Sequence, residues 1–264
     1  MALIYKHMKH LLIILTLTFV SSLTFAQQEA YSKKTYVSAE NDTLRYRELT
    51  PEKLAPNQKY PLVLFLHGAG ERGNDNEAQL RHGGNMFTNP VNREKYPAFV
   101  IFPQCPQEDF WAPRNRSAAA GESAFNQNPP MSKALSLVKK VLDEAIEKYP
   151  VDRNRIYIAG LSMGGMGTFD MLCRFPDLFA AAIPICGGVS TDRLGSIKTN
   201  THIRIYHGDA DTTVPVAYSR NAYKTLKQNK ANVEYIEYPG VNHDSWTSAF
   251  NEDDFMAWIF SKRK

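Results

Sequence analysis

The sequence predicts an α/β fold, a mostly parallel central sheet of about eight strands with helices on both faces and no large lid domain. Three observations carry that expectation. Strand-like apolar runs alternate with helical patterns from residue 61 onward, which is how a parallel sheet covered on both faces reads in sequence. The run Ile156-Tyr157-Ile158-Ala159-Gly160-Leu161-Ser162-Met163-Gly164-Gly165 passes from a strand pattern to a helix pattern through a serine held between glycines. The 264 residues are 43% hydrophobic and 22% charged, ordinary for one domain able to bury a full core, and show no repeat, low-complexity stretch or linker.

Residues 1–26 are set aside before the elements are placed. Lys6 and Lys9 precede the apolar run 11–20, and Thr24-Phe25-Ala26 offers small residues at a cleavage point, the pattern of a secretory signal peptide. The apolar run is too short to cross about 30 Å of hydrocarbon, so no membrane insertion is expected after cleavage. No cysteine follows it for lipid attachment. One domain, residues 27–264, then starts in a secreted or periplasmic setting.

Strands are expected near 35–38 and 43–49, and next at 61–66, where Pro61-Leu62-Val63-Leu64-Phe65-Leu66 is apolar throughout and runs into Gly68 and Gly70. Another follows at 98–103. A helix is expected over 132–149, where Leu135, Val138, Leu142 and Ile146 recur on one helical face. The serine run supplies a strand at 155–160 and a helix at 163–175. Strands at 180–186, 203–207 and 233–238, with helices at 216–229 and 252–262, complete the alternation.

Ser162 is the candidate nucleophile. The pattern G-x-S-x-G between a strand and a helix forces a sharp turn, and Gly160 and Gly164 let backbone approach while the hydroxyl is pushed into the open. A serine hydroxyl needs a base to take its proton and an acid to orient that base. For the acid, Ile203-Arg204-Ile205-Tyr206-His207-Gly208-Asp209-Ala210-Asp211 offers Asp209 and Asp211 just past a strand, and spacing alone does not choose between them. For the base, His243 sits where the strand 233–238 opens into its loop. Of the other histidines, His7 and His10 fall in the leader, His67 and His207 end strands before glycine, and His82 and His202 have no partner pattern. An oxyanion would be met by the backbone N–H of Met163 and by one from the Gly-rich loop after Leu66, with Ala69 the first choice and Gly70 the second.

Together with Leu66-His67-Gly68-Ala69-Gly70-Glu71-Arg72-Gly73 and Phe102-Pro103-Gln104-Cys105-Pro106, these motifs make the chain resemble the esterase and "predicted peptidase" branch of the α/β-hydrolases. Feruloyl and acetyl-xylan esterases, polyhydroxybutyrate depolymerases and dienelactone-hydrolase-like proteins share that branch. The resemblance implies the chain order Ser, acid, His, and its H-G-x-x-D-x-x-V-P segment places the acid at Asp211, leaving Asp209 to bond local backbone. It implies a catalytic domain over 27–264 that cleaves carboxylic esters, such as acyl groups on plant polysaccharide, without metal or organic cofactor. Where dienelactone hydrolases carry a cysteine the chain has Ser162, so their substrate is not inherited. Two rival readings are a serine peptidase of the same fold, for which no propeller or cap is visible, and a silent glycan-binding homologue.

Without Lys6 and Lys9 the chain holds 29 basic and 27 acidic residues, a net charge of +2, and no cationic run that would suggest nucleic acid as a partner. Cys105, Cys173 and Cys186 allow at most one disulfide, and their spacing fits no metal motif. Only some sixteen residues separate the strands ending near Cys186 and starting near Ile203, where many lipases insert a lid. The segment Cys105 to Pro130 is long and is expected to wall the substrate cleft, with Trp111 and Arg114 as binding residues. Trp246, close beyond His243, is the third such candidate, because sugar rings and aryl acyl groups pack on flat apolar faces.

Overall fold

Eight strands form one sheet: β1 (Ser32–Val37), β2 (Thr43–Leu49), β3 (Tyr60–Leu66), β4 (Phe99–Gln104), β5 (Val151–Leu161), β6 (Ala181–Ile185), β7 (His202–Gly208) and β8 (Asn232–Tyr238). The computed structural model describes residues 29–115, 124–197 and 200–264, so the expected signal peptide, residues 1–26, lies outside the described residues. The spatial order is β1-β2-β4-β3-β5-β6-β7-β8. β2 runs antiparallel to β1 and β4, and every other pair is parallel. The doubly covered parallel sheet expected from the alternation of elements is therefore present.

All seven residues of β3 and all six of β4 are buried, as strands must be when both faces are covered. Successive side chains point to opposite faces, so β3 feeds two cores. Leu62, Leu64 and Leu66 pack with Leu135, Val138 and Leu142 of α3 (Lys133–Lys148), after the short helices α1 (Gly84–Thr88) and α2 (Pro90–Lys95). Val63 and Phe65 face the other way, toward Tyr157 and the carboxyl-terminal residues Phe255 and Trp258. Each buried leucine contributes roughly 1.5–3 kcal/mol. Ser132 caps α3 by accepting the Leu135 N–H at 3.1 Å.

The remaining helices are α4 (Met163–Arg174), α5 (Ala217–Gln228), α6 (Ser245–Phe250) and α7 (Phe255–Phe260). Two expectations are corrected, and two helices are added. The single closing helix over 252–262 is two short ones, because the polar turn Asn251 to Asp254 breaks it while Ala249, Phe255, Trp258 and Ile259 all keep their places in one core. β5 begins at Val151 rather than 155, since Val151 pairs with Tyr60 ahead of an irregularity in the ladder. The stretch after Gly83, for which no element is expected above, holds α1 and α2; Asn89 caps α2, its side chain accepting the Val91 and Asn92 N–H groups, with Pro90 at the first position.

The three cysteines are free thiols. Among the described residues no helix is long and apolar enough to cross a membrane. Between β6 and β7 the described residues form a single 3-10 helix, Thr191–Ser196, in place of a lid domain. The chain leaves β3 for β4 on one side and returns past it to β5 on the other, so the strand order reverses between β3 and β5. Crevices outside the carboxyl ends of strands at such a reversal are where open α/β sheets bind ligands.

Candidate active site

Ser162 sits at that reversal, with φ 54° and ψ −116° between β5 and α4. A non-glycine residue with positive φ costs of order 1–3 kcal/mol, and here the packing around the turn holds it in place. A Cβ on Gly160 would overlap the Gly164 carbonyl, and one on Gly164 would overlap the Leu66 carbonyl. The Ser162 N–H donates to the Ile185 carbonyl at 2.9 Å, and its own carbonyl accepts the Met166 N–H at 3.0 Å. The hydroxyl is left to face outward.

That hydroxyl lies 2.9 Å from His243 Nε2, and His243 Nδ1 lies 2.7 Å from Asp211 Oδ2. The carboxylate can only accept, so Nδ1 carries the proton and the Nε2 lone pair faces Ser162 Oγ. Asp211 Oδ1 accepts the Thr213 and Val214 N–H groups, each at 2.8 Å. Burial works against the Asp211 charge, yet these bonds and the His243 bond outweigh it and hold the carboxyl below its ordinary range. Asp209 turns elsewhere: its Oδ1 accepts the Gly240 N–H at 2.6 Å, and the Ala210 N–H donates to the Val241 carbonyl at 3.1 Å. Asn242 Oδ1 accepts from both Thr212 and His243 backbone amides. These bonds tie the loop carrying the acid to the loop carrying the imidazole.

A cleft of about 310 Å³ opens beside Ser162, walled by Ala69 and Met163, by Phe110, Ala112 and Arg114 of the long loop, and by Met166, Thr213 and Val214. Met163 is the first residue of α4 and Ala69 the first of the 3-10 turn Ala69–Glu71. First-turn amides have no acceptor within their own helix, which leaves both N–H groups for a ligand. Ala69 borders the cleft, and Gly70 is not among the residues lining it. Two larger hollows, of about 420 and 830 Å³, lie elsewhere, and Ser162 is not among the residues lining them.

The long loop does supply a wall, but not through Trp111, and that expectation is corrected. Trp111 is fully buried, its indole N–H donates to the His67 carbonyl at 2.9 Å, and its ring meets the His67 ring edge-on. Alternate residues of the segment face the cleft, while Trp111 turns inward over α4 beside Gly167. Trp246 is half-buried and packs edge-on against His243, with ring centroids 5.5 Å apart, and against His82 at 5.3 Å.

Two histidines that end strands before glycine, His67 and His207, also matter here. His67 Nδ1 donates to the Gly68 carbonyl at 2.6 Å and Nε2 accepts the Cys105 N–H at 2.9 Å, joining the Ala69 loop to the end of β4. Burial lowers its pKa to about 4, so it is neutral. His207 is fully buried, and its Nε2 donates to the Val214 carbonyl at 2.9 Å while facing Asp211 Oδ2 at 3.2 Å. Its Nδ1 accepts from Ser219 Oγ at 2.7 Å. Their signal in the sequence is a histidine before glycine at the end of a strand.

Among the described residues, Cys186, Asp211 and His243 bring potential metal-ligating atoms within 4.8 Å of one another. A metal there would have to displace the His243–Asp211 hydrogen bond and deprotonate a thiol that burial pushes up to about 12. The donor set fits a proton relay better than a metal.

The phospholipase/carboxylesterase family model matches residues 53–254. Acetylxylan esterase A of Emericella nidulans is 28% identical over 243 residues, covering 79% of this chain and 71% of that protein. A thermostable esterase of known structure superposes with a TM-score of 0.80 at 35% identity, covering 90% of this chain, which spans 64% of the other. A ferulic acid esterase from Anaeromyces mucronatus, 19% identical with a TM-score of 0.63, covers 88% of this chain and 90% of its own, and shares the fold.

Proposed function

Because the chain belongs to the phospholipase/carboxylesterase family of hydrolases, we propose that it cleaves carboxylic esters through an acyl-enzyme on Ser162. The observation that carries this reading is the unbroken hydrogen-bond chain from Ser162 through His243 to Asp211, opening on a cleft. His243 Nε2 takes the hydroxyl proton as Oγ attacks the ester carbonyl. The Met163 and Ala69 amides receive the oxyanion, each well-aimed N–H contributing about 3–4 kcal/mol to the transition state. His243 then protonates the leaving alcohol, and water repeats the sequence in reverse to free the acid. No step in this sequence calls on a metal or an organic cofactor.

The substrates are esters on bulky molecules, such as acetyl or feruloyl groups on plant polysaccharide. Support comes from the acetylxylan esterase relative and from the absence of a lid among the described residues. Trp246 and Arg114 are the residues assigned to substrate contact. Cleavage of the leader after residue 26 would place the enzyme outside the cytoplasm, where such polymers are met.

A fluorophosphonate probe should label the wild-type protein and not Ser162→Ala. The same change should lower turnover of an aryl acetate on the order of a million-fold, with His243→Ala about as severe, because the two act as one unit. Labelling that survives Ser162→Ala, or cleavage of a peptide anilide in preference to the ester, would overturn the reading.

A further inference from the structure

Arg114 is the one charged residue among the described residues lining the cleft beside Ser162. Among the described residues its guanidinium makes no hydrogen bond or ion pair. Arg72, which lies over the Phe110 ring at 4.4 Å, is committed: it donates to the Ala69 and Gln107 carbonyls. The nearby carboxylates are committed too. Asp211 is taken by His243 and two amides, and Asp109 accepts the Phe110 and Ala134 N–H groups. Nothing described in the wall neutralises Arg114.

The described wall around it is mostly apolar, with Phe110, Ala112, Met166 and Val214 lining the same cleft beside the hydroxyls of Ser162 and Thr213. A half-buried guanidinium in such a wall loses part of its hydration, and a planar anion returns it through paired, charge-assisted hydrogen bonds. A sugar hydroxyl or an acetyl carbonyl offers one neutral acceptor and leaves the charge uncompensated. A carboxylate matches the five-donor fork in both charge and shape.

We propose that Arg114 makes this cleft selective for esters that carry a carboxylate near the scissile bond, an inference that rests on the esterase reading above. The carboxylate can sit on the acyl side, as in a half-ester of a dicarboxylic acid, or on the alcohol side, as in an ester of a hydroxy acid.

Two matched pairs test it, each comparing a carboxylate with its neutral amide: monomethyl adipate with methyl adipamate, and 4-acetoxybenzoate with 4-acetoxybenzamide. In at least one pair the wild-type kcat/KM should favour the carboxylate by about tenfold or more, the scale of a charge-assisted hydrogen bond. Arg114→Gln should bring that ratio close to one, and Arg114→Lys should retain part of it. The responding pair identifies the side on which the carboxylate binds. Calorimetric binding of the same four compounds to Ser162→Ala, with and without Arg114→Gln, should reproduce the contrast without turnover, so a failed esterase reading leaves this measurement intact. Ratios that do not change on Arg114→Gln in either pair, in kinetics and in calorimetry, would overturn the proposal.

Discussion

His207 Nε2 lies 3.2 Å from Asp211 Oδ2, the oxygen that also receives the hydrogen bond from His243, so one carboxylate oxygen faces two imidazoles. The two are not equivalent. His243 opens to the cleft side through Ser162, whereas His207 is sealed in the core, where burial lowers its pKa and keeps it neutral. A neutral His207 contributes a dipole and leaves the full negative charge for the imidazolium that forms on His243. Its anchors, Ser219 on α5 and the Val214 carbonyl, fix it from two sides. His207 is thus placed to act through Asp211 as a positioning residue.

Replacing His207 with alanine should lower kcat by roughly ten- to a hundredfold, the scale of one hydrogen bond to a charged group, with KM little changed. His207→Gln retains a donor toward Val214 and Asp211 and should recover part of the loss. Steady-state kinetics on a soluble aryl ester, with folding checked by circular dichroism, reads this out. An equal loss in both variants, or a loss carried by KM, would assign His207 to packing alone.

The two aspartates after β7 should separate sharply. Asp211→Asn should slow turnover by about ten-thousand-fold by stabilising the wrong imidazole tautomer. Asp209→Asn alters one bond, to the Gly240 N–H, and should cost about 0.5–1.5 kcal/mol of stability with a far smaller kinetic effect. If Asp209→Asn were the crippling change, the assignment of the acid would be wrong.

The sequence displayed the parts of this molecule that depend on local periodicity. Helix α3 was legible because Leu135, Val138, Leu142 and Ile146 repeat at helical spacing, and all four are buried. Ser162 was legible because a strand-to-helix turn without side chains needs glycines on both sides. Other features depend on contacts between distant residues, which leave no local mark. His67 reaches Cys105 and His207 reaches Ser219, and a histidine before glycine looks the same whether it is buried or solvated. Direction within a loop was equally hidden: Phe110, Ala112 and Arg114 line the cleft, while the tryptophan between them does not. The break between α6 and α7 lay in Asn251 to Asp254, but apolar residues on either side gave the appearance of one amphipathic helix.

Acid should weaken the fold through His67. Its ordinary pKa near 6.5 applies to the unfolded chain, and burial lowers it to about 4 in the folded protein. Between those values the unfolded state binds a proton that the folded state does not, so stability falls as pH drops through this window, by about 1.4 kcal/mol per unit. Above 6.5 the group contributes no slope, and below 4 the loss is complete at about 3 kcal/mol. His207 acts in the same direction, so the test is the difference between wild type and His67→Gln in denaturant unfolding from pH 7 to pH 4. The variant should show a shallower decline. Parallel curves would mean that His67 does not titrate between these limits.

Trp111 should behave as a core anchor. Its ring is fully buried beneath the loop that presents Ala69, its N–H holds the His67 carbonyl, and its own carbonyl accepts Ser132 Oγ at 3.1 Å, tying it to the start of α3. Trp111→Ala removes that packing and should destabilise the protein by about 3–5 kcal/mol. Trp111→Phe keeps most of the apolar volume but leaves the His67 carbonyl without its donor, which should cost about 1–3 kcal/mol. Thermal and denaturant unfolding of the two variants gives these values. Because the indole does not reach the cleft, Trp111→Phe should leave the ratio of kcat/KM between a small aryl acetate and an acylated oligosaccharide within about twofold, the difference left when no binding contact is removed. A selective loss on the oligosaccharide, with stability unchanged, would instead make Trp111 a recognition surface and require the loop to turn it outward when substrate binds.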